Sequence, residues 1–140
     1  MSPGPAGDGD AIRVRYYAGA YGPTMRIDMR SDSHVERVRA QFELLRRGPA
    51  TDVSISSGGL WELAGLRELL MATDARAVPG ARAIEIAGTR ETRIDWRMTR
   101  DGWERCVDLL EGLSSPGHQY LTEERKGFVR VVLALGESGR

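Results

Sequence analysis

A histidine, a tyrosine and two acidic residues lie close together in the segment SPGHQYLTEERKG at 115–127. Histidine titrates near neutral pH, so His118 could act as a general base if a carboxylate oriented its ring. The candidate catalytic residues of this loop are therefore His118, Tyr120 and Glu123. In the alternative interpretation, His118 hydrogen-bonds loop carbonyls and Tyr120 anchors the loop, because closeness in sequence does not establish catalytic geometry.

The other residue types able to do chemistry are few. Cys106, the single cysteine, follows Trp103 by three residues and precedes Leu110 by four, which places it on a buried helical stripe as a small hydrophobic side chain. His34 lies in the first turn of a predicted helix, a position that is usually exposed to solvent. One cysteine and two histidines do not make a structural zinc site. The sequence predicts neither a metal nor a cofactor.

Arginine and tyrosine side chains on predicted strands form a second candidate site. Arginine and aspartate alternate with apolar residues at 26–30 and again at 93–97. The interleaved carboxylates would pair with arginine and repel phosphate, which favours a solvated, salt-bridged face or, next, a protein-binding face. Tyrosine and arginine are enriched at interface hot spots. The candidate interface residues are Tyr17, Tyr21, Arg26, Arg30, Arg93 and Arg97.

These side chains need strands to position them. Alternation of apolar and polar residues, with turn residues between the segments, indicates two strand pairs and one short strand. A nearly continuous apolar run near the end indicates a central strand that is buried on both faces. The predicted strands are IRVRYY, TMRIDMR, TDVSI, AIEIAG, TRIDWRMT and FVRVVLAL.

Three segments have the apolar spacing of a helix. In SHVERVRAQFELLRR, residues Ser33 and Glu36 match a capping box. A second helix is predicted over 60–72, after a Ser/Gly turn. Thr99 is predicted to cap a third helix, in DGWERCVDLLEGL.

The order of these elements predicts an α+β fold. We expect a mostly antiparallel sheet of about six strands with three helices packed on one face. The stretches at 26–38 and 93–107 have the same order of strand, polar break and helix, which suggests a pseudo-repeat written ββαβ-α-ββαβ. Residues 1–10 and 137–140 are predicted to be mobile tails on a single domain spanning 11–136.

Composition limits the classes of function. A chain of 140 residues is long enough to form one hydrophobic core. Twenty basic and twenty acidic residues give a formal net charge of zero, which disfavours nucleic-acid binding. We expect no membrane association, since no apolar run approaches the roughly 20 residues of a membrane helix. The single cysteine and the lack of a secretory signal pattern predict a cytoplasmic protein.

The sequence favours a small non-catalytic interaction module, regulatory or of the immunity type. A protein partner would bind through the sheet face or through the loop at 114–127. The alternative is a small enzyme or small-ligand-binding protein that uses His118, Tyr120 and Glu123. Open edge strands would also allow a homodimer. In architecture alone, such a Cys-poor α+β chain is similar to small bacterial proteins and to immunity-type proteins that neutralise a toxin.

Overall fold

The computed structural model describes residues 11–19, 22–47, 52–76, 78–122 and 126–137. The predicted tail at 1–10 lies outside these ranges, as do Tyr21 and Glu123. The described residues form two helices, α1 (Asp32–Arg47) and α2 (Arg100–Glu111). The strands are β1 (Ile12–Gly19), β2 (Gly22–Met29), β3 (Asp52–Ser56), β4 (Trp61–Ala64), β5 (Glu68–Thr73), β6 (Gly80–Glu85), β7 (Thr92–Met98), β8 (Gly117–Tyr120) and β9 (Arg130–Leu135).

The strands form two mixed sheets. The five-stranded sheet has the order β4-β1-β2-β9-β8, and the four-stranded sheet has the order β3-β5-β7-β6. Hairpin neighbours are antiparallel, while β1 and β4, β2 and β9, and β5 and β7 pair in parallel. The α+β class is therefore confirmed. The predicted single, mostly antiparallel sheet of six strands with three helices is wrong.

The segment at 60–72 is the main correction, since it forms β4 and β5 and not a helix. Gly65 has a φ of +83°, and a side chain there would collide with the carbonyl oxygen of Tyr16. That backbone conformation interrupts any helix through the segment. Beyond it, β5 pairs with β3 on one side and β7 on the other. These long-range hydrogen bonds outweigh the local helical spacing of the leucines.

Helix α1 is present, but its cap differs from the prediction. The predicted capping box of Ser33 and Glu36 is wrong, because the cap lies two residues earlier. The backbone N–H of His34 donates to the Ser31 hydroxyl at 3.3 Å, and the backbone N–H of Arg30 donates to Nδ1 of His34 at 2.9 Å. His34 is consequently buried, with 5% of its surface exposed, and not solvated as predicted.

Helix α2 follows its prediction closely. The Thr99 hydroxyl accepts a hydrogen bond from the backbone N–H of Gly102 at 3.1 Å, which satisfies one of the unpaired donors of the first turn. The buried side of the helix consists of Trp103, Cys106, Val107 and Leu110. Cys106 is thus a core residue, as its spacing predicts.

Part of the segment predicted as a loop is the edge strand β8. It pairs antiparallel with β9, so that His118 lies opposite Ala134 and Tyr120 lies opposite Val132. The prediction of β9 as a central strand is confirmed, since it lies between β2 and β8 and both of its faces are buried. His118 and Tyr120 therefore have the alternating, same-side geometry of a strand.

The two halves of the chain repeat one order of pairing. Each half runs from a hairpin through a helix to a second antiparallel strand pair, and that pair lies in the opposite sheet from the hairpin. The echoed residues occupy matching places, because Nε of Arg26 lies 2.7 Å from Oδ1 of Asp28 and Nε of Arg93 lies 2.7 Å from Oδ1 of Asp95. The repeated order is ββαββ, with β4 added in the first half, so the predicted order ββαβ-α-ββαβ is wrong.

One hydrophobic cluster includes residues of both sheets and both helices. Its aromatic centre consists of Phe42, Trp96 and Trp103, whose ring centroids lie 4.8 to 5.8 Å apart. The core is thus shared, and the outward faces of the sheets remain for other roles. Within the described ranges, neither helix has the length and apolar content to cross a membrane.

Candidate functional site

The outward side of the five-stranded sheet carries most of the described side chains that could bind a ligand or transfer a proton. Residues directly opposite each other in paired strands point to the same side, and Arg15, Arg26, Val132 and Tyr120 are opposite in turn across β1, β2, β9 and β8. The same rule places His118 beside Tyr120 along β8. We call this surface the arginine–tyrosine face, consisting of Arg15, Tyr17, Thr24, Arg26, Asp28, His118, Tyr120, Arg130, Val132 and Glu137.

The face unites two sites that the sequence predicted separately. His118 and Tyr120 come from the candidate catalytic set, whereas Tyr17 and Arg26 come from the candidate interface set. They line a single concavity of about 290 Å³, whose floor includes Val132. The proximity arises because β8 adds to the sheet beside β9, which carries the loop residues onto the strand face.

The remaining interface candidates lie elsewhere. Arg30 directly follows β2 and is exposed. Arg93 and Arg97 belong to β7 in the four-stranded sheet, where both pair with Asp95. The predicted interface residues are thus divided between two faces of the protein.

A network of ion pairs orders the arginines of the face. Asp28 accepts from Nε of Arg15 at 3.1 Å and from Nε of Arg26 at 2.7 Å, and only 9% of its side chain is exposed. Nη2 of Arg26 donates to Glu137 at 2.8 Å. Burial would lower the pKa of Arg26, but the hydrogen bond and charge of Asp28 and the charge of Glu137 outweigh it and raise that pKa. The Arg26 guanidinium is therefore charged, and the ion pairs hold both arginines in place before any ligand binds.

Glu137 is the carboxylate that orients His118. Nδ1 of His118 lies 2.9 Å from Oε2 of Glu137. That hydrogen bond, together with the charges of His118 and Arg26, lowers the pKa of Glu137 despite the opposing effect of burial. Because an ionised carboxylate only accepts, Nδ1 carries the proton, and Nε2 of a neutral ring is left able to accept one. This is the geometry of an oriented general base.

Sequence reasoning missed Glu137 because it assigned residues 137–140 to a tail. Glu137 is 19 residues from His118 along the chain, and the contact exists only because β8 pairs with β9. A local pattern gives no signal for such a pair. The carboxylate proposed from the sequence, Glu123, lies outside the described residues.

The tyrosines of the face are exposed but ordered by charged neighbours. Tyr17 is 40% exposed and Tyr120 is 49% exposed. The guanidinium carbon of Arg15 lies 5.8 Å from the centre of the Tyr17 ring, and that of Arg130 lies 5.6 Å from the Tyr120 ring. His118 packs edge-on against Tyr120, with centroids 5.6 Å apart. Both rings are thus oriented and accessible.

The described residues limit the chemistry that the face can perform. Among them, no hydroxyl or thiol side chain is hydrogen-bonded to His118. Cys106 is buried in the core, and burial raises the pKa of its thiol to about 12. In those same residues no three His, Cys, Asp or Glu side chains come together as a metal site. The face is therefore suited to binding and to proton transfer by His118.

A larger concavity, of about 530 Å³, lies where β4 and β5 approach the start of β7. Its lining includes Gly65, Leu66 and Arg67 but no aromatic residue. The Arg67 guanidinium is paired with the carboxylate of Glu91 at 2.6 Å, and both side chains are more than half exposed. Because this concavity has no aromatic contact residue, the arginine–tyrosine face is the stronger candidate.

Comparison of the chain with models of protein families, with curated proteins and with solved structures finds no match.

Proposed function

We propose that this protein is a non-catalytic interaction module that binds a protein partner through the arginine–tyrosine face. The observation that carries the proposal is the convergence of two exposed tyrosines, Tyr17 and Tyr120, with Arg26, Arg130 and His118 around one concavity. Tyrosine and arginine are the residue types that most often dominate binding energy at protein interfaces. Here they are already oriented, so little side-chain entropy remains to be lost on binding.

The charges of the face indicate the chemistry of the partner. Arg15 and Arg26 keep guanidinium N–H donors beyond those that contact Asp28 and Glu137, and these donors can bind a further carboxylate. The tyrosine rings supply apolar contact area beside these charges. We therefore infer a partner whose contact surface combines acidic and apolar side chains. A module of this kind would act by covering its partner's surface, as regulatory and immunity-type proteins do.

Two double variants and one capture experiment test the proposal. Tyr17→Ala/Tyr120→Ala removes the anchors of the face, while Arg93→Ala/Arg97→Ala is the matched control on the four-stranded sheet. Each protein is immobilised and exposed to lysate of the source organism, and retained proteins are identified by mass spectrometry. Circular dichroism confirms that the variants are folded.

We expect one protein, in near-equal amount, to be retained by the wild type and by the control but lost with the tyrosine variant. Retention of that protein by the tyrosine variant would show that the face is not its binding site. Absence of any retained protein, under conditions where micromolar complexes survive washing, would contradict the module itself. If the retained protein is a second copy of this chain, sedimentation analysis will show a homodimer, and the inference of a separate partner is wrong.

A second candidate function is favoured by the 2.9 Å contact between His118 and Glu137. In this case the face binds a small molecule, and Nε2 of His118 accepts a proton from it. A screen of the organism's metabolites with the wild type and with His118→Ala tests this function. Consumption of a metabolite by the wild type alone, with His118→Ala still folded, would establish an enzyme. If no metabolite is consumed, the interaction module remains the better conclusion.

A further inference from the structure

Glu137 differs from the other carboxylate at the centre of the face. Asp28 lies within β2, is nearly buried and joins Arg15 to Arg26 as part of the sheet. Glu137 follows the end of β9 and reaches back over the sheet to contact Arg26 at 2.8 Å and His118 at 2.9 Å. Its carboxylate therefore joins two of the cationic or proton-donating groups that line the concavity, Arg26 and His118.

The turn that places Glu137 over the face is determined by the backbone at Gly136. Gly136 has a φ of +71°, and a side chain at this position would collide with the side chain of Ser115. Its backbone N–H donates to the carbonyl of Met29 at 2.9 Å, which ties the turn to the end of β2. The backbone before Glu137 is thus fixed, while the carboxylate stands at the end of a side chain with three rotatable bonds.

The four-stranded sheet provides an internal comparison. Arg93 and Asp95 repeat the pair formed by Arg26 and Asp28, with the same 2.7 Å contact. Within the described residues, no second carboxylate pairs with Arg93. The arginine–aspartate pair of a strand therefore does not require a partner like Glu137. Glu137 is an addition specific to the arginine–tyrosine face.

From these observations we propose that Glu137 is an internal substitute for a carboxylate of the binding partner. An Asp or Glu side chain of the partner displaces Glu137 and takes its place between Arg26 and His118, while Glu137 rotates into solvent. This inference rests on the proposed function, and it adds the chemical class of the group that enters the concavity. Because Glu137 is tethered, it competes at an effective concentration in about the millimolar range and lowers the affinity for the partner's carboxylate.

Replacement of Glu137 shows by the direction of the change in affinity whether this residue contributes to binding or competes with the ligand. A glutamate that merely contributes to the interface would weaken binding when it is replaced. A glutamate that competes with the ligand strengthens binding when it is replaced. Glu137→Gln keeps the shape of the side chain and removes its charge. Glu62→Gln is the matched control, since Glu62 lies on the same side of the sheet, paired with Arg13 at 3.5 Å and away from His118.

The probe is the peptide Ala-Glu-Ala blocked at both ends, which has a single carboxylate, with Ala-Gln-Ala as its neutral counterpart. Binding is followed by NMR through the side-chain N–H signals of Arg26 and the ring signals of His118. We expect the glutamate peptide to bind Glu137→Gln about fivefold or more tightly than the wild type. We expect Glu62→Gln to behave as the wild type, and the glutamine peptide to leave these signals unchanged.

Equal or weaker binding of the glutamate peptide by Glu137→Gln would overturn the proposal. An equal gain in Glu62→Gln would also overturn it, because the effect would then come from net charge alone. The capture experiment separates this failure from that of the proposed function. If the tyrosine variant releases the partner and Glu137→Gln releases it too, the module stands and Glu137 is an ordinary contact residue.

Discussion

At the scale of single residues, the two histidines differ in their exposure and in their hydrogen-bond partners. His34 is 5% exposed and accepts a hydrogen bond from a backbone N–H, while the His118 side chain is 47% exposed and pairs with a carboxylate. The first is part of a helix cap and the second is part of the arginine–tyrosine face. Sequence position alone predicted that His34 is exposed, because a first helical turn is usually solvated.

His34→Ala is predicted to destabilise the protein by about 1–2 kcal/mol, because the Arg30 amide loses the imidazole that accepts its hydrogen bond. Urea unfolding followed by circular dichroism gives the free energy of unfolding. His118→Ala is the matched control and should cost less than about 0.5 kcal/mol, since its side chain is half exposed. Equal costs for the two variants would contradict the role of His34 in the cap.

The ion pairs of Glu137 predict a dependence of stability on pH. The pKa of Glu137 is lowered in the folded protein, so its contribution is present above the ordinary value of 4.5 and is lost as pH falls through the folded value. At pH 7 the free energy of unfolding of the wild type should exceed that of Glu137→Gln by less than about 1 kcal/mol, because the ion pairs of Glu137 are partly exposed. The difference should shrink as pH falls below 4.5 and disappear once pH is below the lowered pKa of the folded protein. A difference that grows in acid would contradict this assignment.

At the scale of elements, patterns contained within one segment were predictive and patterns that depend on partners were not. The cap of α2 at Thr99 and the continuous apolar run of β9 could be predicted because their causes are local. The stretch 60–72 has leucines at helical spacing, yet it forms strands because β5 gains hydrogen-bonded partners on both sides. For the same reason β8 and the contact between His118 and Glu137 could not be predicted from local sequence.

Gly65→Ala tests whether this glycine separates β4 from β5. Its φ of +83° and the nearby Tyr16 carbonyl leave no room for a side chain, so we expect a loss of about 2–3 kcal/mol. Gly88→Ala is the control, because Gly88 has a similar φ of +79° but no atom within 4 Å of the added carbon. Urea unfolding of both variants separates the cost of the backbone conformation from that of the collision. Equal losses would show that the collision with Tyr16 is relieved at little cost.

At the scale of the whole molecule, the shared core predicts the behaviour of the single thiol. Cys106 is 1% exposed within a cluster that spans both sheets and both helices, and burial raises its pKa to about 12. Labelling by a thiol reagent at pH 8 should therefore require opening of the entire core. We expect the labelling rate to increase with urea at the slope of global unfolding. A fast rate without denaturant would show that α2 opens locally.

The exchange of strand pairs between the two sheets also bears on how the chain folds. Each sheet combines a strand pair from the first half of the chain with a strand pair from the second half. Strand β2 must therefore pair with β9, which lies more than 100 positions later in the sequence. Such pairing imposes a high contact order, and folding rates fall as contact order rises. When only the first half of the chain has left the ribosome, β2 and β5 therefore lack their parallel partners β9 and β7. We expect this protein to fold after synthesis is complete and to depend, until then, on protection of its unpaired strand edges.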